Sequence, residues 1–232
     1  MENTKRKFMQ IYLDSANIQH IQQAASWGII DGVTTNPSLL AKEDPKVDVK
    51  QRILEIHKLV GGHLSVEVIS TNTDGMLREA EEIRSWFPEA TIKIPMLPAG
   101  LAAVKELSKR NIPTNVTLIF NPIQALAANN AGATYVSLFL GRLDDIGMSS
   151  SSILEEVANI WYVHNFESKI IAASIRNPLH IIHSAKVGAH IATVPFDVLK
   201  KSLMHPLTDQ GIDIFLKDYD KMQTEVQKNL KE

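Results

Sequence analysis

Short apolar runs rich in β-branched residues alternate with longer amphipathic segments along the chain, and this alternation occurs eight times. The runs have the length of strands, and the segments between them carry the apolar spacing of helices. The runs cover residues 9–14, 32–36, 64–70, 91–96, 114–119, 134–140, 169–175 and 190–195. Eight strand–helix units without a linker predict a single (β/α)8 barrel, of the α/β class, over residues 1–205. A doubly wound open sheet is the alternative, weakened because no Gly-x-Gly-x-x-Gly or Walker sequence follows any run.

The segments between the runs also carry signals for where helices begin and end. Asp74, Asn121 and Asn177 are predicted N-caps, and Gly132 and Gly188 are predicted stops.

One more helix is predicted after the eighth unit, in residues 206–232. Apolar residues recur there at alternating spacings of three and four, which places them on one helical stripe: Ile212, Phe215, Tyr219, Met222 and Val226. We expect this extension to belong to the same domain as the barrel. It would either cap its own barrel or dock on a neighbouring subunit.

Polar residues recur on one face of the predicted strands. Side chains two positions apart in a strand share a face, and in a barrel one face points inward. Read by this alternation, seven strands direct these side chains inward: Tyr12, Asp14, Thr34, Asn36, Glu67, Lys93, Asn115, Thr117, Ser137, Phe139, Ser174 and Arg176. Their neighbours, such as Val66, Ile92 and Ala173, are apolar and predicted to face the helices. A barrel interior is normally filled by Val, Ile and Leu, so the pattern predicts a polar cavity.

Lys93 is the most informative member of this set, because it lies at the centre of the strand-like stretch Thr91-Ile92-Lys93-Ile94-Pro95. Burial favours a neutral amine, which is the form that attacks a carbonyl to make a Schiff base. The alternative is a lysine at a strand end that reaches water. Glu67 is predicted either to relay protons or to pair with Lys93, and Asp14 could instead belong only to a helix-capping turn.

Two arginines are candidates for an anion site. Arg142 follows the sixth run and Arg176 ends the seventh, so their side chains are expected at neighbouring strand ends, where together they would suit a phosphate group. A solvated loop cation is the alternative for Arg142. His180 and His183 lie three apart on a helix and are predicted to be surface imidazoles rather than metal ligands.

Composition narrows the class of protein further. The 232 residues carry a net charge of −2 and contain no cysteine, which excludes disulfides, thiolate metal sites and cysteine nucleophiles. The charge balance indicates neither a nucleic-acid partner nor an anionic membrane surface. No stretch approaches the roughly 18 apolar residues of a membrane span. We therefore expect a soluble cytoplasmic protein.

Three stretches resemble signatures of the transaldolase family: Val33-Thr34-Thr35-Asn36-Pro37-Ser38, Ile92-Lys93-Ile94-Pro95 and the turn at Asp14. The resemblance is closest to the short-chain branch, which includes the fructose-6-phosphate aldolases, and extends over essentially the whole chain. It implies sugar-phosphate substrates, no cofactor and no metal. It also implies a homo-oligomer, a ring of barrels such as a pentamer or decamer.

The same resemblance implies residue roles. Lys93 would form the Schiff base, and Asp14 and Glu67 would be the acid–base carboxylates. The residues implied to hold substrate hydroxyls or the catalytic water are Asn36, Asn115, Thr117 and Ser174, and those for the phosphate are Arg142 and Arg176. Thr34, Ser137 and Phe139 complete the predicted binding residues.

Two positions distinguish the activities within this branch. Members that resemble true transaldolases have Glu on strand three and Phe on strand six, as in Glu67 and Phe139, whereas fructose-6-phosphate aldolases have Gln and Tyr. The expected reaction transfers a dihydroxyacetone unit from sedoheptulose 7-phosphate or fructose 6-phosphate to an aldose phosphate, in the pentose phosphate pathway. Fructose-6-phosphate aldolase is one alternative. A non-catalytic sugar-phosphate-binding barrel is another, from a different class.

Overall fold

The computed structural model describes residues 8–43 and 48–229. Eight parallel strands form a closed barrel in chain order, with the last strand paired to the first. The strands are β1 Gln10–Asp14, β2 Gly32–Thr34, β3 His63–Glu67, β4 Thr91–Pro95, β5 Thr114–Ile119, β6 Tyr135–Phe139, β7 Lys169–Ala173 and β8 Ile191–Val194. The predicted (β/α)8 barrel is confirmed, and the open sheet is excluded because closure leaves no sheet edge.

Helices follow every strand. They are α1 Ile18–Ser26, α2 Pro37–Leu40, α3 Val49–Val60, α4 Thr73–Trp86, α5 Pro98–Lys109, α6 Pro122–Ala131, α7 Leu140–Asp145, α8 Ser150–His164, α9 Pro178–Lys186, α10 Phe196–Leu203 and α11 Pro206–Asn229. The alternation did not predict the additional helices α2 and α7, because helices of four and six residues are too short to establish a helical period.

Asparagine side chains begin several of these helices. Asn121 and Asn177 accept hydrogen bonds from Gln124 N and His180 N, so both predicted N-caps are confirmed. Asp74 is not a cap, because α4 begins one residue earlier and Asn72 accepts from Gly75 N at 2.8 Å. A left-handed Gly132 ends α6 as predicted. Helix α9 ends at Lys186 with Val187 as its C-cap, and Gly188 follows in the left-handed region.

The backbone divides into one compact unit up to Val198 and a second from Leu199 onward. The first contains the whole barrel and its interior. The second contains α11, whose apolar stripe is predominantly exposed, with Phe215 at 74% and Ile212 at 51%. That the extension shares a domain with the barrel stays a prediction. Among the described residues, no helix is both long and apolar enough to cross a bilayer.

Candidate active site

A cavity of about 330 Å³ opens at the carboxyl ends of the strands, the end of a (β/α)8 barrel at which active sites are built. Ten of the twelve predicted site residues line it: Asp14, Thr34, Asn36, Lys93, Asn115, Ser137, Phe139, Arg142, Ser174 and Arg176. Glu67 and Thr117 do not. The strand alternation thus predicts most of the lining, because the barrel keeps one inward face on each strand.

Lys93 is buried at 6% exposure in the middle of β4, which excludes the lysine that reaches water at a strand end. Its Nζ lies 2.9 Å from Glu67 Oε2 and donates to the Thr35 carbonyl oxygen at 3.2 Å. The contact with Glu67 follows from strand register, because Glu67 is the Cα partner of Lys93 across the β3–β4 pair. The alternative of a Lys93–Glu67 ion pair is therefore present in the fold.

Asp14 ends β1 inside the cavity. Its Oδ1 accepts a hydrogen bond from the Thr34 hydroxyl at 2.9 Å, and the Thr34 and Thr193 hydroxyls lie 2.5 Å apart. Burial raises the pKa of Asp14, while Lys93 and the Thr34 hydroxyl oppose that shift. Asp14 is not a capping residue, because Asn17 caps α1 by accepting from His20 N at 3.0 Å. A carboxyl group with a raised pKa is suited to accept a proton during a reaction.

Thr193, on β8, is a cavity residue that the sequence interpretation missed. The alternation was applied to seven strands and left out the eighth, although Thr193 is the only polar residue of β8. Because the Thr34 hydroxyl donates to Asp14, its partner Thr193 must donate to Thr34. Lys42 lines the cavity as well, and nothing in the local sequence distinguishes it from other exposed lysines.

The β7 strand alternates with the parity opposite to the one predicted, since Ile171 and Ala173 share its inward face. Ala173 was predicted to face the helices, but it packs in the interior cluster with Tyr12 and Ile171, so that prediction is wrong. The strand ends at Ala173, and Ser174 adopts a left-handed backbone with φ 55°. This turn, rather than the strand pleat, brings Ser174 to the cavity.

The two predicted arginines are exposed at the mouth. The Arg142 guanidinium lies 5.2 Å from the centre of the Phe139 ring, and Arg176 Nη2 lies 3.1 Å from Asp145 Oδ2. Gly141 makes room for this arrangement, because a Cβ there would lie 2.5 Å from Arg176 Cγ. Both cations therefore lie beside one opening, a placement suited to an anionic group.

His180 connects helix α7, which carries Arg142, to the turn that carries Arg176. Its Nε2 lies 2.8 Å from Asp144 Oδ2, and its Nδ1 accepts from the Arg176 backbone N–H at 3.3 Å. The prediction of a surface imidazole is wrong for His180, whose side chain is only 12% exposed. In residues 8–43 and 48–229, no three metal-binding side chains form a cluster.

Glu67 and Thr117 lie just outside the main cavity. Glu67 borders a second, mainly apolar cavity together with Thr35, Asn36 and Ile53. Thr117 is buried on β5, and its Oγ1 has no hydrogen-bond partner among the described residues. A buried hydroxyl without a partner is suited to bind a water molecule.

Asparagine side chains give the cavity its directed amide groups. Asn36 Oδ1 accepts from Leu39 N at 3.0 Å as the cap of α2, so its Nδ2 is left for the cavity. Asn115 is fully buried beside Lys93, its Cα partner across the β4–β5 pair. Its Oδ1 accepts from the Ser137 hydroxyl at 2.7 Å, and its Nδ2 donates to Ser65 Oγ at 3.1 Å. Ser65 was not predicted, although it lies two residues before Glu67 in the same strand and therefore shares its inward face.

Fold and site together define a (β/α)8-barrel protein with a buried lysine–carboxylate centre at the carboxyl ends of its strands. A family profile described as Transaldolase/Fructose-6-phosphate aldolase matches residues 11–232. The chain belongs to this family.

Individual relatives are similar in sequence to this chain over nearly their full length. A probable transaldolase of Exiguobacterium sibiricum is 53% identical over 93% of this chain and 100% of its own. A probable transaldolase of Geobacillus thermodenitrificans is 52% identical over 93% of this chain and 100% of its own. A probable transaldolase of Alkaliphilus metalliredigens is 52% identical over 91% of this chain and 98% of its own.

Proposed function

We propose that this protein is a transaldolase that carries a dihydroxyacetone unit on Lys93 between a ketose phosphate and an aldose phosphate. The observation that carries the proposal is the buried Lys93 amine, 2.9 Å from Glu67 and in the same cavity as Asp14. Binding a sugar requires no buried lysine, so the centre favours covalent chemistry over a non-catalytic binding barrel.

Formation of the imine uses Lys93 and Glu67. Lys93 first gives its proton to Glu67, the carboxylate paired with it. The neutral amine then adds to the C2 carbonyl of the ketose, giving a carbinolamine that loses its hydroxyl group as water to leave an iminium ion. Glu67 would supply and remove protons through a water held by Thr117, and the position of Glu67 against Nζ supports that role. General acid–base help of this kind contributes about 10²–10⁴-fold.

Carbon–carbon cleavage uses Asp14. Its carboxylate takes the proton of the C4 hydroxyl, the C3–C4 bonding electrons move to the iminium, and an enamine remains on Lys93 while an aldose phosphate leaves. A second aldose phosphate then reacts in reverse, and hydrolysis of the imine releases the new ketose. The raised pKa of Asp14 supports its role as proton acceptor. Arg142 and Arg176 would hold the phosphate, and Thr34, Asn36, Asn115, Ser137 and Ser174 would contact the sugar.

Borohydride trapping tests the covalent step. With fructose 6-phosphate present, reduction should fix a three-carbon adduct on Lys93, detected by peptide mass spectrometry. Lys93→Met should abolish both trapping and turnover. Lys169→Met, at the exposed first residue of β7 and so at the opposite end of that strand from the cavity, is the matched control and should retain both. An adduct on any lysine other than Lys93 would refute the mechanism.

Fructose-6-phosphate aldolase is the rival reaction. In it the enamine is protonated and water hydrolyses the resulting imine, whereas in a transaldolase the enamine adds to an aldose. The combination of Glu67 and Phe139 favours transfer, because Phe139 has no hydroxyl group to help release. Products should therefore form from fructose 6-phosphate only when erythrose 4-phosphate is present. Glu67→Gln with Phe139→Tyr should increase acceptor-independent cleavage, and about 1.4 kcal/mol between the two barriers changes the partition tenfold. Equal release and transfer by the wild type would favour the aldolase.

Assembly and location extend the proposal. The exposed stripe on α11 supports a homo-oligomer, because so many apolar side chains are seldom left uncovered on a monomer. Removing residues 206–232 should lower the mass measured by light scattering, and an unchanged mass would exclude α11 from assembly. We place the enzyme in the cytoplasm and in the pentose phosphate pathway, which the family relationship supports.

A further inference from the structure

A file of hydrogen-bonded polar side chains runs inside the barrel from its amino-terminal end to the cavity. His63 Nε2 lies 2.8 Å from Ser65 Oγ, Ser65 accepts from Asn115 Nδ2 at 3.1 Å, and Ser137 donates to Asn115 Oδ1 at 2.7 Å. Ser65 and Asn115 are both fully buried. Asn115 and Ser137, at the cavity end, have roles in the reaction described above, whereas His63 and Ser65 have none.

The two serines cannot by themselves set the direction of this file. A hydroxyl group both donates and accepts, so Ser65 and Ser137 would satisfy the Asn115 amide equally well in either of its two orientations. The orientation is fixed only if a further group accepts the hydroxyl hydrogen of one of the two serines. Ser65 has such a partner in His63, whereas the hydroxyl of Ser137 is used on Asn115 itself.

His63 is suited to accept that proton. Its ring stacks on Tyr12 at 4.9 Å and meets the edge of Tyr135 at 4.6 Å between centroids, which holds it in one plane. Burial, assisted by Lys169, lowers the pKa of His63 to about 4, so the ring is neutral near pH 7 and one nitrogen is bare. With Nε2 bare, Ser65 donates to His63, and its oxygen then accepts from Asn115.

We propose that His63, acting through Ser65, is a positioning residue that fixes the orientation of the Asn115 amide in the cavity. In this orientation Oδ1 is held by Ser137, one N–H of Nδ2 is held by Ser65, and the second N–H is left for a substrate oxygen beside Lys93. The inference rests on the proposed function, because it assigns Asn115 to the substrate. It adds two residues, His63 and Ser65, that do not line the cavity.

A double-mutant cycle tests the inference on the full-length protein. Ser65→Ala and His63→Phe, which keeps an aromatic ring, should each lower kcat/KM for the ketose donor by roughly two- to tenfold, the range expected for loss of one hydrogen bond. The double variant should lose no more than Ser65→Ala alone, because His63 acts only through Ser65. His63→Gln returns an acceptor and should recover part of the activity lost in His63→Phe.

Tyr135→Phe is the matched control at the same end of the barrel. It removes the hydroxyl bonded to Tyr12 but leaves the Ser65 file intact, so kcat/KM should match the wild type. Losses that multiply in the double variant, or an equal loss in Tyr135→Phe, would overturn the inference in favour of general packing. Wild-type activity in both single variants would overturn it as well. Borohydride trapping of the wild type on Lys93 separates these outcomes from a failure of the proposed function.

Discussion

The two ends of the barrel interior are built from the same strands but from different kinds of side chain. At the amino-terminal end, the ring of Tyr12 stacks on His63, and His63 meets Tyr135 edge to face. Ile171 and Ile191 pack beside Tyr12 and Tyr135. At the carboxyl end the same strands present Asp14, Glu67 and Ser137, two or four residues further on. One end is filled by contacts between rings and aliphatic groups, and the other surrounds a cavity with charged and hydroxyl groups.

This difference shows how one barrel tolerates a costly centre. A lysine and two carboxylates out of bulk water carry a desolvation penalty, and a cavity contributes little packing. The aromatic end supplies packing to the same strands only two residues away. We therefore expect substitutions at the carboxyl end to change activity with little loss of stability. Substitutions at the aromatic end should do the opposite, except at His63, which also acts on the cavity through Ser65.

The largest expected effect contrasts two residues of β1. Asp14→Asn retains the shape and the acceptor for Thr34 but removes the base, so kcat should fall by about 10²–10⁴-fold while thermal stability holds. Tyr12→Phe, two residues earlier, removes only the hydroxyl bonded to Tyr135 and should cost about 1 kcal/mol of stability with unchanged kcat. Steady-state kinetics and denaturant unfolding on both variants provide the comparison. A loss of activity in Tyr12→Phe as large as that in Asp14→Asn would contradict this division between the two ends of the barrel.

The next effect concerns the mouth of the cavity. Arg176→Ala should weaken phosphorylated acceptors by roughly 10- to 150-fold in kcat/KM, the value of one charge-assisted contact, and leave free aldoses nearly unchanged. Asp145→Asn releases Arg176 from its exposed ion pair, so kcat/KM for phosphorylated acceptors should rise, by roughly one- to fivefold. Equal losses for phosphorylated and free acceptors would show that Arg176 does not recognise phosphate.

A pH effect on stability is expected from the aromatic end. The pKa of His63 is about 4 in the folded protein, below the ordinary value of 6.5, because burial disfavours the charged ring. Between these two values the unfolded chain binds a proton that the folded chain does not, so stability falls as pH falls from 6.5 to 4. The free energy of unfolding of the wild type should drop by up to about 3 kcal/mol more than that of His63→Phe over this range. Parallel pH profiles for the two proteins would contradict the assignment.

The smallest effect is a pH shift in activity at the carboxyl end. The Thr34 hydroxyl lowers the pKa of Asp14 against the upward effect of burial, so Thr34→Val should raise that pKa further. Because the base must be ionised, the acid limb of kcat/KM should move to higher pH. Thr193→Val, which touches Thr34 but not Asp14, should move it less in the same direction. A limb that moves to lower pH in Thr34→Val would exclude Asp14 as the titrating base.

Much of the site could be predicted because a strand repeats every two residues. Asn36, Asn115 and Arg142 were placed at the cavity from alternation and strand ends alone, and all three line it. The prediction failed where the backbone leaves the regular pleat. Within β7 the pleat places Ala173 on the interior face with Ile171, and the strand ends there. Ser174 reaches the cavity through its own left-handed backbone, which the sequence pattern does not predict.

The sequence by itself determined the eight strand–helix units, the inward face of most strands and the burial of Lys93, because these depend on local period and local composition. The tertiary structure alone decided which inward groups touch. Strand register sets Glu67 against Lys93, barrel closure brings Thr193 to Thr34, and His63 meets Tyr135 from strands that are not neighbours. Register and closure are properties of the whole barrel, since each strand's position depends on all the others, and no single segment carries that information.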